Sequence, residues 1–559
     1  MHLNLAVLLL TAIVANAAEM ITLQPGADDG AAITQALARL GQAGGGTLTL
    51  APGRYRLRAT VRPEAAVLAG QLSGITIVGQ DAVLVGSGAT RLFGFDACRG
   101  LTLRNLRITC EPLPHTVGTV VAQDAAFHGV ELAVAAPYRA EAGRLTQAVM
   151  GWDLANARTS SDGWETYQCN GERPEPSTVT AAGHLRVPIQ RGAKLPAIGG
   201  TVVVRHEVYA GGAILMRGCS DVLIEDVAVE ATSGMGLMAW ECRDLTVRRF
   251  SVVPPPGFAM SATADAMHFG ACRGRILVED STFAGMGDDA INIHGMYGLV
   301  VERPDDRTLL VQRARLHPYY DKERSTWDLP AAGDAIEACA ADAPLLPVAD
   351  LTVAESRQDG KRTLIRSTQP LPAAITVGSL LANTSTLPSA RIARCKVRGN
   401  RARGFLLQTR DVVVEDCAFT DVSGAAIQIC ADAAEWCEGP GVRDVIIRRC
   451  SISGCNYGIA RRAAAIDVFA DLAGNRPAPP GVHRGIRIED CMFTGPGTAV
   501  HIGSTDGVVV GPNRYQKDTA VDIAVDHSRG VEIVHPPGKP PQVRLGEGCS
   551  SEAVHLKPR

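Results

Sequence analysis

Asp221-Val222-Leu223-Ile224 and Asp244-Leu245-Thr246-Val247 are two copies of one phrase, a turn-forming residue followed by a short strand, with starts at positions 221 and 244. The phrase recurs as Gly74-Ile75-Thr76-Ile77, Gly100-Leu101-Thr102-Leu103, Asp411-Val412-Val413-Val414, Asp444-Val445-Ile446-Ile447, Gly485-Ile486-Arg487-Ile488 and Gly507-Val508-Val509-Val510. Six positions after the turn residue comes a small or apolar side chain: Leu106, Val227, Phe250, Cys417, Cys450, Cys491. Starts at 485, 507 and 530 keep nearly the interval that separates 221 from 244, and the wider step from 411 to 444 implies a loop inserted on that basic coil. Strands so short, recurring without intervening helices, cannot bury a face alone and must stack on their neighbours. The fold read from this is all-β, a right-handed parallel β-helix. A leucine-rich repeat would carry a Leu and Asn signature that is absent, and a propeller would need longer four-stranded blades.

Outward from the repeats, Asp28-Asp29-Gly30 precedes a segment whose Ile33, Leu37 and Leu40 recur at helical spacing, and Gly44-Gly45-Gly46 ends it. This predicts an N-terminal helix with an acidic cap, covering the open end of the solenoid. The apolar run Leu3 to Val14, followed by Ala15-Asn16-Ala17-Ala18, reads as a secretory signal over 1–18, too short for a membrane span. Export to the periplasm or the exterior is therefore expected. The cap and first coils are assigned to 19–137. Residues 138–206, with Trp152, Trp164 and Tyr167, break the rhythm and are read as an insertion before central coils at 207–297. Residues 298–386 carry alternating strands such as Arg307-Thr308-Leu309-Leu310-Val311 and are read as an inserted β-barrel-like subdomain, followed by C-terminal coils and tail over 387–559.

A net charge of −3 argues against a nucleic-acid partner, whose phosphates ask for a basic face. The 58 glycines and 4% aromatic content suit tightly stacked strands with many turns. Fifteen cysteines in an exported chain suggest disulfides, yet Cys395, Cys417, Cys450 and Cys491 hold one repeat position, as a stack of small buried side chains would. No CxxC pair favours zinc. The oligomeric state is not set by the sequence, a homodimer being one option.

The chemistry concentrates in Gly285-Met286-Gly287-Asp288-Asp289-Ala290-Ile291-Asn292-Ile293-His294-Gly295. Asp265 precedes Asp289 by about one coil, and Glu241 precedes Asp265 by the same step, so the three are expected to stack as a ladder on successive coils, with Asp288 beside it. His268 and Asn292 share that spacing. Stacked carboxylates repel, which raises the pKa of at least one and lets an acid coexist with a conjugate base, the requirement of glycoside hydrolysis. A Gly-capped turn is the bland alternative for Asp288-Asp289, and calcium binding by clustered acids is another. His268 and His294 alone would more often be structural.

These residues carry a resemblance. Ala264-Asp265-Ala266-Met267-His268-Phe269, then Gly270-Ala271-Cys272-Arg273-Gly274, then Asp288 to Gly295, and later Asn400-Arg401-Ala402-Arg403-Gly404 resemble glycoside hydrolase family 110, the exported α-1,3-galactosidases. The resemblance implies a β-helix with inserted β subdomains and metal-independent, inverting, exo-acting removal of terminal α-1,3-linked galactose from blood-group B type or linear glycans, with no cofactor. It implies Asp288 as general acid, with Asp265 and Asp289 positioning and deprotonating the water. Ala434-Glu435-Trp436-Cys437-Glu438 resembles a sugar-contacting stretch, Trp436 stacking on a sugar face and Glu438 accepting from hydroxyls. Trp240, Glu241, His268, Asn292, His294 and Arg401 complete the expected substrate contacts, and Arg401 and Arg403 are expected to pair with nearby carboxylates. The competing functions are a polygalacturonase-like pectin hydrolase, whose Gly-His-Gly and Arg-Ile-Lys signals are not evident, a β-eliminating lyase, and a non-catalytic glycan-binding β-helix.

Overall fold

The computed structural model describes residues 19–58, 65–88, 90–167, 176–314, 327, 329–474, 476–516 and 521–559. The signal segment 1–18 and Cys169 lie outside the described residues. Among the described residues, two long sheets of parallel coils, of 23 and 13 strands, run the length of a solenoid with a single α-helix at its N-terminal end. This is the parallel β-helix. Successive coils pair in register, as in Val222↔Leu245 and Ile224↔Val247.

The repeat phrase has a local cause. Its first residue, Gly74, Gly100, Asp221, Asp244, Asp411, Asp444, Gly485, Gly507 or Gly530, always has φ between 54° and 74°. Most L-residues avoid this left-handed region, which Gly enters freely and Asp tolerates through its short polar side chain. The alternation of Asp and Gly at this point therefore marks one backbone turn per coil. The following strand sends alternate residues inward, so that Val222, Ile224, Leu245 and Val247 join one continuous core. At the open end, helix Asp29–Gln42 begins where the Asp28 side chain accepts from the Ala31 backbone N–H at 3.1 Å, and it buries Ile33, Leu37 and Leu40.

Cys395, Cys417, Cys450 and Cys491 are buried free thiols in that core, and the Cys395 backbone N–H donates to Cys417 Sγ at 3.4 Å. A second set, Cys98, Cys219, Cys242 and Cys272, sits just before the turn residues of earlier coils and is likewise buried. Among the described residues no cysteine is bridged.

Two antiparallel units interrupt the solenoid. An eight-stranded sheet runs from His115–Asp124 to Thr201–Arg205. It thus begins at 115, within the span assigned from sequence to coils ending at 137. Val117 and Val120 are β-branched and buried like solenoid residues, so composition gave no signal of the change. The second unit is a closed six-stranded barrel made of Tyr297–Glu302, Thr308–Arg313, Ala335–Cys339, Pro347–Asp359, Arg362–Ser367 and Leu380–Asn383. Among the described residues no helix is long and apolar enough to cross a membrane.

Candidate active site

The site lies where four strands of the 13-stranded sheet stand side by side: Gly234–Trp240, Met267–Gly270, Ile291–His294 and Phe405–Gln408. Met267 pairs with Ile291 and His268 with Asn292, a register that sets Asp265 beside Asp289 just before their strands. The glycines of the motif make this approach feasible. A Cβ on Gly287 would lie 2.2 Å from the Thr263 carbonyl oxygen, and one on Gly285, at φ +66°, would lie 2.6 Å from that of Ala259. Only a chain without those carbons presses so close to the preceding coil.

Asp288 and Asp289 are consecutive, and their carboxylates reach different partners. Asp289 Oδ2 accepts from Arg403 Nη2 at 2.8 Å and its Oδ1 from the Arg403 backbone N–H at 2.9 Å. Asp288 accepts from the Tyr209 hydroxyl, and its Oδ1 lies 3.8 Å from Arg401 Nη1. Asp265 Oδ2 is 2.7 Å from His268 Nδ1. Side-chain exposure is 16% for Asp288, 5% for Asp265 and 1% for Asp289, so Asp288 is the most accessible acid of the three.

Burial raises the pKa of Asp289 well above the ordinary carboxylate value; Arg403 opposes this, while Asp288 and Asp265 add to it. Asp265 is also raised, first by burial, with His268 opposing and Asp288 adding. Protons held by such a cluster belong to the set rather than to one residue.

The histidines form a chain behind the acids. His294 Nδ1 donates to the Gly295 carbonyl at 2.8 Å, which leaves its Nε2 as an acceptor for His268 Nε2 at 2.8 Å. Burial works against a charged His268, but Asp265 outweighs it and its pKa rises. In its charged form His268 donates from both ring nitrogens, to Asp265 on one side and His294 on the other. Trp240 lies over Gly270, where a Cβ would come within 2.1 Å of the indole. Its ring meets His294 edge-on with centroids 5.8 Å apart, and the Arg313 guanidinium of the barrel lies 5.3 Å from the indole.

Glu241 does not join the ladder. Leu237 pairs with Met267 and Trp240 with Gly270, a longer register than the one joining Met267 to Ile291, because this coil carries the extra loop around Pro254-Pro255-Pro256. Glu241 instead occupies a turn at φ 56°, 37% exposed, with its carboxylate 3.4 Å from Arg217. Glu438 does reach the site, with Oε1 3.9 Å from His294 Nε2. Trp436 is on the same loop, which Asp432 anchors by accepting from the backbone N–H groups of Ala434, Glu435 and Trp436.

Several residues escaped the sequence reading. Arg401 is held by a two-point pair with Glu165, both contacts at 2.6 Å. Glu165 also accepts at 2.5 Å from Arg205, which is fully buried and donates to the Gly287 carbonyl at 3.3 Å. Glu165 and Arg205 belong to the first insertion, and Tyr209 follows it. None has a copy in the repeat, so coil spacing could not align them with the acids. The nearest legible signal was Asn400 in the quoted motif, whose Nδ2 donates to the Asp288 carbonyl at 3.1 Å.

No protein-family model matches the chain. The chain is 28% identical over 455 residues to α-1,3-galactosidase B of Bacteroides thetaiotaomicron, covering 77% of this chain and 71% of that protein. It is 31% identical over 291 residues to α-1,3-galactosidase A of Akkermansia muciniphila, covering 51% and 46%. With α-1,3-galactosidase B of Phocaeicola vulgatus it shares 29% over 388 residues, covering 66% and 60%. Among solved structures, the catalytic unit of a GH87 α-1,3-glucanase from Streptomyces thermodiastaticus is similar at TM-score 0.39 and 12% identity, over 95% of this chain and 67% of that one. A family 28 exopolygalacturonase of Yersinia enterocolitica is similar at TM-score 0.38 and 11% identity, over 96% and 77%. Taken with the acid motif, the sequence matches make the chain a relative of the bacterial α-1,3-galactosidases, enzymes of the glycoside hydrolase family 110 type.

Proposed function

We propose that the chain is an exported, exo-acting glycoside hydrolase that removes terminal α-1,3-linked galactose, from blood-group B type or linear glycans, with inversion and without a metal ion. The observation that carries this reading is the division of three acids into a buried pair and a more accessible third. Asp265 and Asp289 immediately precede adjacent strands, which lie about 4.8 Å apart, and this suits joint action on one water. Asp288 turns to other partners and is the most exposed, as a donor to a glycosidic oxygen must be. In this mechanism Asp288 gives its proton to the leaving oxygen as the anomeric bond breaks. Water held by Asp265 and Asp289 attacks the anomeric carbon from the opposite face and loses a proton to that pair.

The arginines support a neutral sugar rather than a uronate. Arg401 is matched by Glu165 and Asp288, and Arg403 by Asp289, so their positive charge is met by the protein's own carboxylates. The relatives' names supply the linkage, and the 28% identity over 455 residues to one of them supports its transfer to this chain. NMR of the anomer first released from an α-1,3-galactosyl disaccharide tests the whole reading. β-Galactose is expected; α-galactose as first product overturns inversion, and no release overturns the activity.

A further inference from the structure

Three amide side chains stand on the outward side of the catalytic sheet, on consecutive strands: Asn292, Gln408 and Gln428, the last from strand Ile427–Ala433. Their exposures are 5%, 2% and 3%. In each the carbonyl oxygen is buried and finds no hydrogen-bond partner among the described residues. For Gln408 the amide orientation is fixed, because Nε2 donates to the Glu438 carbonyl at 2.8 Å and Oε1 must point elsewhere. A buried acceptor without a donor is costly, and three on adjacent strands call for a common partner rich in donors. Sugar hydroxyls are such donors.

The register sets their order. Asn292 pairs with Leu406 and Leu406 with Gln428, while Gln408 is level with His294. Gln428 is therefore two strands beyond Asn292, about 10 Å along the solenoid axis, farther than one sugar ring reaches. The next residue in that row, Asp467, is already engaged by His501 at 2.6 Å, which closes the series.

We propose that the carbonyl oxygens of Asn292, Gln408 and Gln428 form an acceptor row for glycan hydroxyls, and that Gln428 reads the sugar next to the cleaved galactose. Asn292, beside His268 and the acids, serves the galactose itself. The substrate then runs along the solenoid axis toward the C-terminal coils. This inference rests on the galactosidase reading above.

The test compares an aryl α-galactoside, which carries one sugar, with an α-1,3-galactosyl disaccharide and its fucosylated trisaccharide. Gln428→Leu should lower the ratio of kcat/KM on either oligosaccharide to that on the aryl galactoside about tenfold, the effect of one good hydrogen bond. Gln428→Glu, which keeps an acceptor in place, should lose less. The melting temperature of Gln428→Leu should not fall, because an unpartnered acceptor is being removed; a fall with an unchanged ratio would make Gln428 a structural residue and overturn the proposal. An unchanged ratio in a stable variant overturns it as well. A wild-type chain that cleaves none of the three substrates overturns the galactosidase reading, and the acceptor row with it.

Discussion

Glu415 and Asp289 are both almost fully buried acids of one solenoid, and both accept hydrogen bonds from arginine. Glu415 is surrounded by Arg448, Arg391 and Arg449 at 2.7–2.9 Å. The hydrogen bond from Arg448, with those from Arg391 and Arg449, overcomes burial and lowers its pKa to about 2. Asp289 has Arg403 alone against burial and two neighbouring carboxylates, and it rises. Coil stacking brings charged groups together in both places. What differs is the pairing of each acid: three guanidinium groups around Glu415 make a fixed anion, whereas Asp289 has one guanidinium against two neighbouring carboxylates and belongs to a set able to hold and release protons. Under-pairing of this kind is a mark of functional sites.

Removing the accessible acid breaks the catalytic side of this comparison most severely. Asp288→Asn keeps the shape and the Tyr209 contact but cannot donate a proton to the glycosidic oxygen. Turnover of an α-1,3-galactosyl disaccharide should fall about 10²–10⁴-fold, with glycan binding by calorimetry largely retained. Undiminished turnover would take the acid role away from Asp288.

Arg403→Leu sharpens the comparison from the other direction, by removing the guanidinium that pairs with Asp289. Asp289 and Asp265 would rise further, since Arg403 lowers both. The acidic limb of the kcat/KM profile should therefore move to higher pH, with a loss near neutrality of about 10- to 100-fold, as for a hydrogen bond to a charged group. A pH–rate profile displaced only in height, with its limb in place, would mean that Arg403 binds substrate rather than governing the protonation of the pair.

The contrast also explains what could be read in advance. The repeat was legible because each coil needs one left-handed residue and two inward apolar positions, and Asp or Gly followed by Val, Ile or Leu records that need directly. Asp265, Asp288 and Asp289 were legible because the two coils that carry them pair without an inserted loop between, so that spacing in the chain becomes adjacency in the sheet. Glu241 was misplaced by that arithmetic, since the loop around Pro254 lengthens its coil and carries it into an exposed turn. Glu165, Arg205 and Tyr209 were invisible for a different reason. They enter the site from or beside a unit with no periodicity, and only folding of the insertion against the coils reveals their partners.

The smallest expected effect lies on the structural side. Glu415→Gln removes the anion shared by three arginines whose side chains are 34–45% exposed, so water screens part of the loss. Destabilisation of about 1–2 kcal/mol at pH 7 is expected, between a surface pair and a fully buried one. The pH dependence separates charge from packing. With a folded pKa near 2 against an unfolded value of 4.5, Glu415 contributes fully above pH 4.5 and loses that contribution as pH falls through about 2. The gap in urea unfolding free energy between wild type and variant should therefore narrow steadily as pH is lowered through that window. The raised pair acts in the opposite sense: Asp265 and Asp289 cost stability as pH climbs from the unfolded value of 3.8 toward their folded values. The two sets thus act with opposite slopes, and only the Glu415 part should vanish in Glu415→Gln. A gap constant across that range would show that the three arginines are held there by packing, and that the count of guanidinium groups does not set the difference between the two acids.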